Sequence, residues 1–337
     1  MKFFVETIGC QQNEYDASRL VNFLKSAGFE ETGDDEAEAI FILACAVRQM
    51  AVDRIYGRAR NWISAGKKVY ITSCLTPDDK KKLEKKGVIY FKDLEELAKH
   101  LNLKNKNFKV ASETCYIPIM SGCNNFCSYC IVPFTRGREK SRPVVDIIKE
   151  IKKLISHYHT SKYRSGKLEI TLLGQNVNSY KYGFAKLLKK INDLPGDFEI
   201  SFMSNHPKDM TNDVIEAIAI LPKVKKEIHL PLQSGSDKVL KDMNRPYTAR
   251  QYLKIVENLK FKIQNLKITT DIIVGFPGET EEDFQRTVEI CKKVGYSLAY
   301  VNKYSPRKGT AAFKLGDPIP WAEKQRRWKI LDELINK

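Results

Sequence analysis

From residue 2 to residue 303 the chain alternates strand-like and helix-like patterns, and that alternation limits it to an α/β fold. In the first hundred residues, strands are expected at 2–8, 39–46, 68–73 and 88–91. Amphipathic helices fall between and after them at 13–27, 50–64, 78–86 and 94–101, with Gly28 and Gly66 as stops. Strands separated by helices form a parallel sheet with both faces covered, so a doubly wound first domain is expected over residues 1–104. Residues 102–109 are rich in Lys and Asn, lack periodicity, and read as a linker. The pattern then resumes over a second domain, residues 112–337. Strands are expected at 116–120, 168–173, 199–203, 227–231, 268–274 and 298–303, with helices including 144–157, 213–220, 249–260 and 281–294. Six βα units in succession imply a partial TIM-type barrel. A last helix is expected near 322–335.

The eight cysteines decide the chemistry. The longest apolar run, residues 39–47, is too short for a membrane span, and residues 3–5 are the only apolar stretch before Glu6, so no secretory core is visible. The default location is then the cytosol, where thiols stay reduced and metal ligation or catalysis is the better reading. Cys123, Cys127 and Cys130 lie within eight residues, just past the first strand of the second domain, on the face where barrels carry their active sites. Iron–sulfur clusters take thiolate ligands, usually four. Three close thiols therefore point to a four-iron cluster with one iron left open, as a catalytic centre requires. Zinc is the alternative, and it lacks an obvious fourth ligand nearby. Cys10, Cys45 and Cys74 are scattered, yet each directly follows an expected strand. The carboxyl ends of parallel strands share one edge, so three loops would present three thiols together. Three buried structural cysteines are the alternative. Cys115 and Cys291 remain, and Cys291, among apolar helix neighbours, reads as core.

The 57 Lys and Arg against 41 Asp and Glu give a net charge of +16, which suits a polyanionic partner or simply a solvated basic surface.

Cys123-x-x-x-Cys127-x-x-Cys130, with Tyr129 before the last thiol, resembles the radical S-adenosylmethionine superfamily. The resemblance implies that S-adenosylmethionine chelates the open iron and is cleaved by one electron to methionine and a 5′-deoxyadenosyl radical. A first domain with three dispersed cysteines, including Gly9-Cys10-Gln11-Gln12-Asn13-Glu14-Tyr15-Asp16, resembles the methylthiotransferases, in which a second [4Fe-4S] cluster carries the inserted sulfur. Three further segments are most similar to the branch that modifies N6-isopentenyladenosine in tRNA. They run from Pro133 to Pro143, from Leu172 to Tyr180 and from His229 to Asp237. The expected activity is methylthiolation of carbon 2 of that adenosine, beside the anticodon, with the tRNA anticodon stem-loop as partner. Flavodoxin or ferredoxin would be the reductant, and the chain would act as a cytoplasmic monomer. The alternatives within the class are that this chain methylthiolates threonylcarbamoyladenosine in tRNA or an aspartate of a small-subunit ribosomal protein. A non-catalytic RNA-binding or electron-transfer iron–sulfur protein is the reading from another class.

For S-adenosylmethionine the resemblance implies Gln175, Asn176, Ser204, Gln233, Arg245, Gly275 and Phe276. For RNA, the planar forks of Arg136, Arg138 and Arg142 suit phosphate. Two departures stand out. The family usually has Asn-Thr-Cys and Gly-Cys where this chain has Leu43-Ala44-Cys45 and Ser73-Cys74. The family also usually continues into a small RNA-binding β-barrel, whereas this sequence stops at Lys337, as either a natural short form or a trimmed chain. If natural, RNA affinity is expected from the basic surface, including Lys324, Arg326, Arg327 and Lys329 of the last helix.

Overall fold

The computed structural model describes residues 1–47, 49–103, 114–160 and 167–337. Residues 104–109 of the expected linker lie outside them. The chain divides into two compact units. One is Met1–Tyr116 with Phe134–Gly137, and the other is Ile117–Pro133 with Arg138–Lys337.

The first unit runs β1 (Lys2–Thr7), α1 (Gln11–Ser26), β2 (Glu30–Glu31), β3 (Ala39–Ala44), α2 (Gln49–Ser64), β4 (Lys68–Ser73), α3 (Pro77–Glu84), β5 (Ile89–Tyr90) and α4 (Leu94–His100). Its five strands are ordered β2-β1-β3-β4-β5 and pair in parallel. Central β3 is buried along its whole length, as an uninterrupted apolar run predicts for a strand covered on both sides. Its side chains alternate between two cores. Ile40, Ile42 and Ala44 pack with Ile55, Ala59 and Trp62 of α2. Phe41 and Leu43 pack with Leu20 and Phe23 of α1 and Leu97 of α4. Each large side chain so buried contributes about 1.5–3 kcal/mol. The doubly wound arrangement expected from the sequence is thus present, and it brings the ends of β1, β3 and β4 to one sheet edge.

Beyond α4 the chain runs β6 (Tyr116–Pro118), the short β7 (Met120–Ser121), α5 (Val132–Thr135), whose last two residues belong to the first unit, and β8 (Lys140–Ser141). It continues through α6 (Val144–Thr160), β9 (Leu168–Leu173), α7 (Phe184–Asn192), β10 (Phe198–Phe202), α8 (Asn212–Ile220) and β11 (Glu227–His229). It closes with α9 (Asp237–Asp242), α10 (Ala249–Lys262), β12 (Lys267–Val274), α11 (Glu281–Val294), β13 (Leu298–Lys303) and α12 (Trp321–Ile335). Two three-stranded sheets result, β10-β9-β6 and β11-β12-β13. They are continued into one another where Ile200 of β10 exchanges backbone bonds with Lys223 and Lys225, just before β11. This is the six-unit partial barrel. The helix starts are locally encoded: Thr248 with Gln251 and Thr280 with Asp283 form capping boxes on α10 and α11. The sequence pattern assigned no range to β2, the antiparallel pair β7–β8, α5, α7 and α9. Among the described residues no helix is long and apolar enough to cross a membrane.

Candidate active site and second thiol site

In the second unit the loop bearing Cys123, Cys127 and Cys130 is bracketed by the β7–β8 pair, in which Met120 faces Ser141 and Ser121 faces Lys140. The loop is held from the other side by the turn after α9. Ser128 donates its N–H to Met243 O (2.9 Å) and its hydroxyl to Asp242 O (2.8 Å). Asn244 Nδ2 donates to Phe126 O (2.9 Å). Phe126 itself sits at φ +49°, a left-handed conformation that turns the loop between the first two thiols. Cys123 and Cys127 are buried, and Cys130 is half-buried. Burial pushes the Cys130 thiol up to about 12, and the nearby Cys127 and Cys123 charges add to the rise. Three thiols that sense one another this way are a strong donor set for a metal centre, whose charge removes their protons. Among the described residues no three His, Cys, Asp or Glu side chains form a cage for a single metal ion.

Buried Arg245 lies against this loop. Its Nη1 points at Cys127 Sγ (3.6 Å), its Nε donates to Tyr247 Oη (2.9 Å), and its Nη2 donates to Pro231 O (3.1 Å). The remaining cofactor candidates sit at the carboxyl ends of the barrel strands. Gln175 and Asn176 follow β9, Ser204 follows β10, Gln233 follows β11, and Gly275 and Phe276 follow β12. These ends are stitched together by asparagines that the sequence reading did not single out. Asn178 and His206 exchange two hydrogen bonds (3.1 and 2.9 Å), and Asn205 Nδ2 donates to His229 O (2.9 Å). Ser204 and Gln233 hold φ of +62° and +67°, strained values for residues with side chains, of the sort that gathers at ligand sites.

A second feature marks the same strand ends. Gln175 Oε1, Asn176 Oδ1, Asn205 Oδ1, His206 Nε2 and Gln233 Oε1 are buried and lack any hydrogen-bond partner. Each such atom costs about 1–3 kcal/mol, so a group of them fits a polar ligand that completes their bonding. A ligand with amino, carboxylate and hydroxyl groups, as S-adenosylmethionine has, meets that demand. His206 stays neutral there: burial, then the Arg245 and Lys208 charges, lower its pKa to about 2. Its Nδ1 accepts from Lys208 N–H (3.2 Å), so the neutral ring carries its proton on the unpaired Nε2.

The β12 end is built around Gly275, at φ +72°, where a Cβ would lie 2.4 Å from Lys324 Cγ. Gly275 N–H donates to Glu279 Oε2 (2.6 Å), and Arg327 Nη1 donates to the same oxygen (2.6 Å). This corrects the expectation for the last helix. Lys324 and Arg327 are only 1% and 5% exposed and face the barrel, while Arg326 pairs with Glu281 and Glu323. Lys324 and Arg327 thus support the strand ends, and of the four expected surface charges only Arg326 and Lys329 stay exposed, Lys329 beside Glu333. Lys324, Arg327 and the buried Leu331 recur at helical spacing, the one sequence signal of an inward face. Of the arginines read as phosphate contacts, Arg142 donates to Pro118 O and Glu150 (both 2.6 Å). Arg138 is exposed and lies 4.2 Å over the Phe126 ring.

In the first unit Cys10, Cys45 and Cys74 directly follow β1, β3 and β4 or sit within three residues of their ends. Cys10 is the N-cap residue of α1, with no side-chain capping bond, so its thiol is not consumed by the helix. Gly9 takes φ +147°, and a Cβ there would lie 2.5 Å from Asn13 Nδ2 and 3.1 Å from Cys45 Cβ. The Cys10 and Cys45 loops therefore approach as closely as they do only because Gly9 has no side chain. Asn13 Nδ2 donates to Ile8 O (2.8 Å) and Ala44 O (2.9 Å), tying the two strand ends together. Cys74 N–H donates to Ala44 O (3.2 Å). Burial pushes the Cys74 thiol up to about 11. Arg136 counters that rise, and the charges of Cys45 and Cys10 add to it. Ser73, where the family usually has Gly, is held at φ +77°. Arg136, third of the phosphate candidates, lies here: its Nε donates to Cys74 Sγ (2.8 Å) and its Nη2 to Asn13 Oδ1 (2.9 Å). Cys291 is core, 2% exposed within α11.

Residues 117–291 match the radical SAM superfamily model, and residues 2–91 match one described as "Uncharacterized protein family UPF0004". Over 99% of its length the chain is 40% identical to a tRNA-2-methylthio-N(6)-dimethylallyladenosine synthase of Clostridium tetani, covering 81% of that protein. The enzyme of the same name from Clostridium botulinum is 41% identical over 100% of this chain and 82% of its own. In fold, the chain is similar to the radical S-adenosylmethionine methyltransferase TsrM of Kitasatospora setae, at a TM-score of 0.63 and 12% identity. That match covers 93% of this chain and 77% of the other. The cobalamin-dependent radical enzyme OxsB gives 0.62 at 10% identity, covering 98% of this chain and 56% of the other. The site geometry and these likenesses agree, and the chain belongs to the radical SAM superfamily and, within it, to the family of the tRNA-2-methylthio-N(6)-dimethylallyladenosine synthases.

Proposed function

We propose that this enzyme places a methylthio group on carbon 2 of N6-isopentenyladenosine in tRNA, next to the anticodon. One observation carries the reading: a single chain holds two separate three-thiol sets, one on a barrel loop beside polar strand ends that need a ligand, the other at the sheet edge of an α/β unit. The names of relatives about 40% identical over nearly the whole chain supply the substrate class.

In this reading Cys123, Cys127 and Cys130 hold one [4Fe-4S] cluster, and Cys10, Cys45 and Cys74 hold a second. When bound, the two clusters and S-adenosylmethionine supply the electron, the 5′-deoxyadenosyl radical and the sulfur. The protein's own part is placement. Gln175 Oε1, Asn176 Oδ1 and Gln233 Oε1 accept from the amino and hydroxyl groups of S-adenosylmethionine. Ser204 shapes the β10 end, and Arg245 sets a fixed cation beside Cys127. Gly275, whose missing side chain makes room for Lys324 and whose N–H is taken by Glu279, shapes the β12 end, where buried Phe276 packs edge-on to Tyr304 at 5.3 Å. Burial of the thiol loop keeps water from the reacting groups. Exposed Arg138, with the net charge of +16, serves the RNA backbone. The electron donor is of the flavodoxin or ferredoxin class, and the protein works as a cytoplasmic monomer.

The test is nucleoside mass spectrometry on tRNA from a methylthiolation-deficient bacterial host expressing this chain or its Cys123→Ala variant. The reading expects 2-methylthio-N6-isopentenyladenosine with the parent chain only. Unmodified isopentenyladenosine from a protein loaded with both clusters would sink the substrate assignment, and a methylthiolated threonylcarbamoyladenosine or ribosomal aspartate would replace it.

A further inference from the structure

Arg136 comes from the segment that follows the barrel cysteines, yet Phe134–Gly137 belongs to the first unit, with the dispersed thiols. Its guanidinium is used on both edges. Nε donates to Cys74 Sγ at 2.8 Å, and Nη2 donates to Asn13 Oδ1 at 2.9 Å. The other end of the Asn13 amide is itself spent on Ile8 O and Ala44 O, the carbonyls that lead into the Cys10 and Cys45 loops. One side chain therefore connects all three thiol loops: Cys74 directly, and Cys10 and Cys45 through Asn13. Asp16 stands close enough for the Arg136 charge to act on it.

We propose that Arg136 is the positioning residue of the first-unit thiol set, holding Cys74 in register with Cys10 and Cys45 and supplying the fixed positive charge beside their iron–sulfur cluster. This rests on the reading that those thiols hold a cluster. A thiolate bound to iron keeps lone pairs that accept an N–H, and hydrogen bonds and local charge at the sulfurs are what set cluster potentials. Arginine suits the task because its planar fork reaches two partners at once and never loses its charge. A cation there favours the more negative, reduced cluster, so removing it shifts the couple toward the oxidised form.

The experiment uses the full chain carrying Cys123→Ala, Cys127→Ala and Cys130→Ala, so that bound iron reports the first-unit set alone. This parent is reconstituted anaerobically and compared with the same chain bearing Arg136→Gln or Arg136→Lys, reading iron content and a spectroscopically followed reductive titration with dithionite. Arg136→Gln is expected to load and to move the one-electron reduction equilibrium about tenfold toward the oxidised form, or about 59 mV downward. Arg136→Lys is expected to restore most of that shift. Loading lost in Arg136→Gln and regained in Arg136→Lys supports the proposal equally. Unchanged loading and potential in Arg136→Gln overturns it, as does equal loss of loading in both variants with parental circular dichroism. Absence of iron from the parent itself is a different failure, which removes the second cluster and not the arginine.

Discussion

The two thiol sets solve the same problem in opposite ways. Cys123, Cys127 and Cys130 share one loop, so their proximity is written in the chain and the fold has only to hold that loop, through the β7–β8 pair and Asn244. Cys10, Cys45 and Cys74 lie on three loops, so their proximity is produced by the parallel sheet and kept by Gly9, Asn13 and Arg136. A contiguous set survives changes elsewhere in its unit. A dispersed set depends on every contact that aligns the strand ends.

That contrast is broken most readily at Gly9. Gly9→Ala drives a methyl group to 2.5 Å from an asparagine amide already fixed by two hydrogen bonds, at a φ of +147°. The expected cost is about 2–4 kcal/mol, with iron lost from the first-unit thiols and retained by the barrel loop. Iron analysis with and without the barrel cysteines reads this out, and equal loss from both sets would break the comparison.

A smaller effect is expected in the barrel. Burial, aided by Arg245 and Lys208, depresses the His206 pKa from 6.5 to about 2. Because the folded form resists the proton that the unfolded chain accepts, this group's contribution is complete above pH 6.5. It is lost progressively as the pH falls from there toward 2, by up to about 1.4 kcal/mol per pH unit. Urea midpoints of the iron-free chain at pH 7.5 and 5.5 should therefore separate less in His206→Asn than in the parent. An unchanged gap would show that the ring is solvated.

The smallest effect sharpens the comparison at a single strand end. Ser73 sits at φ +77° where Gly would be unstrained, so Ser73→Gly should stabilise the first unit by about 1 kcal/mol. A rise in its thermal midpoint, with the titration of the barrel cluster unmoved, is the expected result. A fall would mean that the Ser73 side chain contributes more than its backbone costs.

The same contrast explains what could be read before the fold was known. Strands at 68–73, 168–173 and 298–303 coincide with β4, β9 and β13 residue for residue, because β-rich runs flanked by helices leave little room for another register. The barrel thiols needed only spacing. The dispersed thiols needed the sheet edge as a premise. The pair β7–β8 was not legible, since two residues per strand show no period. Asn205 and His206 escaped notice because a buried atom without a partner exists only once neighbouring strands have closed around it. For Arg136, sequence position suggested the barrel's RNA side, and its grouping with residues 1–116 is a long-range contact that no local pattern carries. Charge misled on α12, where Lys324 and Arg327 are cationic yet face inward.

The central claim is that two independent thiol sets each hold a four-iron cluster. Its most direct measurement is the iron and sulfide content of the anaerobically reconstituted chain, of the Cys10→Ala/Cys45→Ala/Cys74→Ala variant and of the Cys123→Ala/Cys127→Ala/Cys130→Ala variant. The account predicts about eight irons in the parent and about four in each triple variant, with cleavage of S-adenosylmethionine kept only where the barrel cysteines remain. Four irons in the parent, all lost with the barrel cysteines, would contradict it.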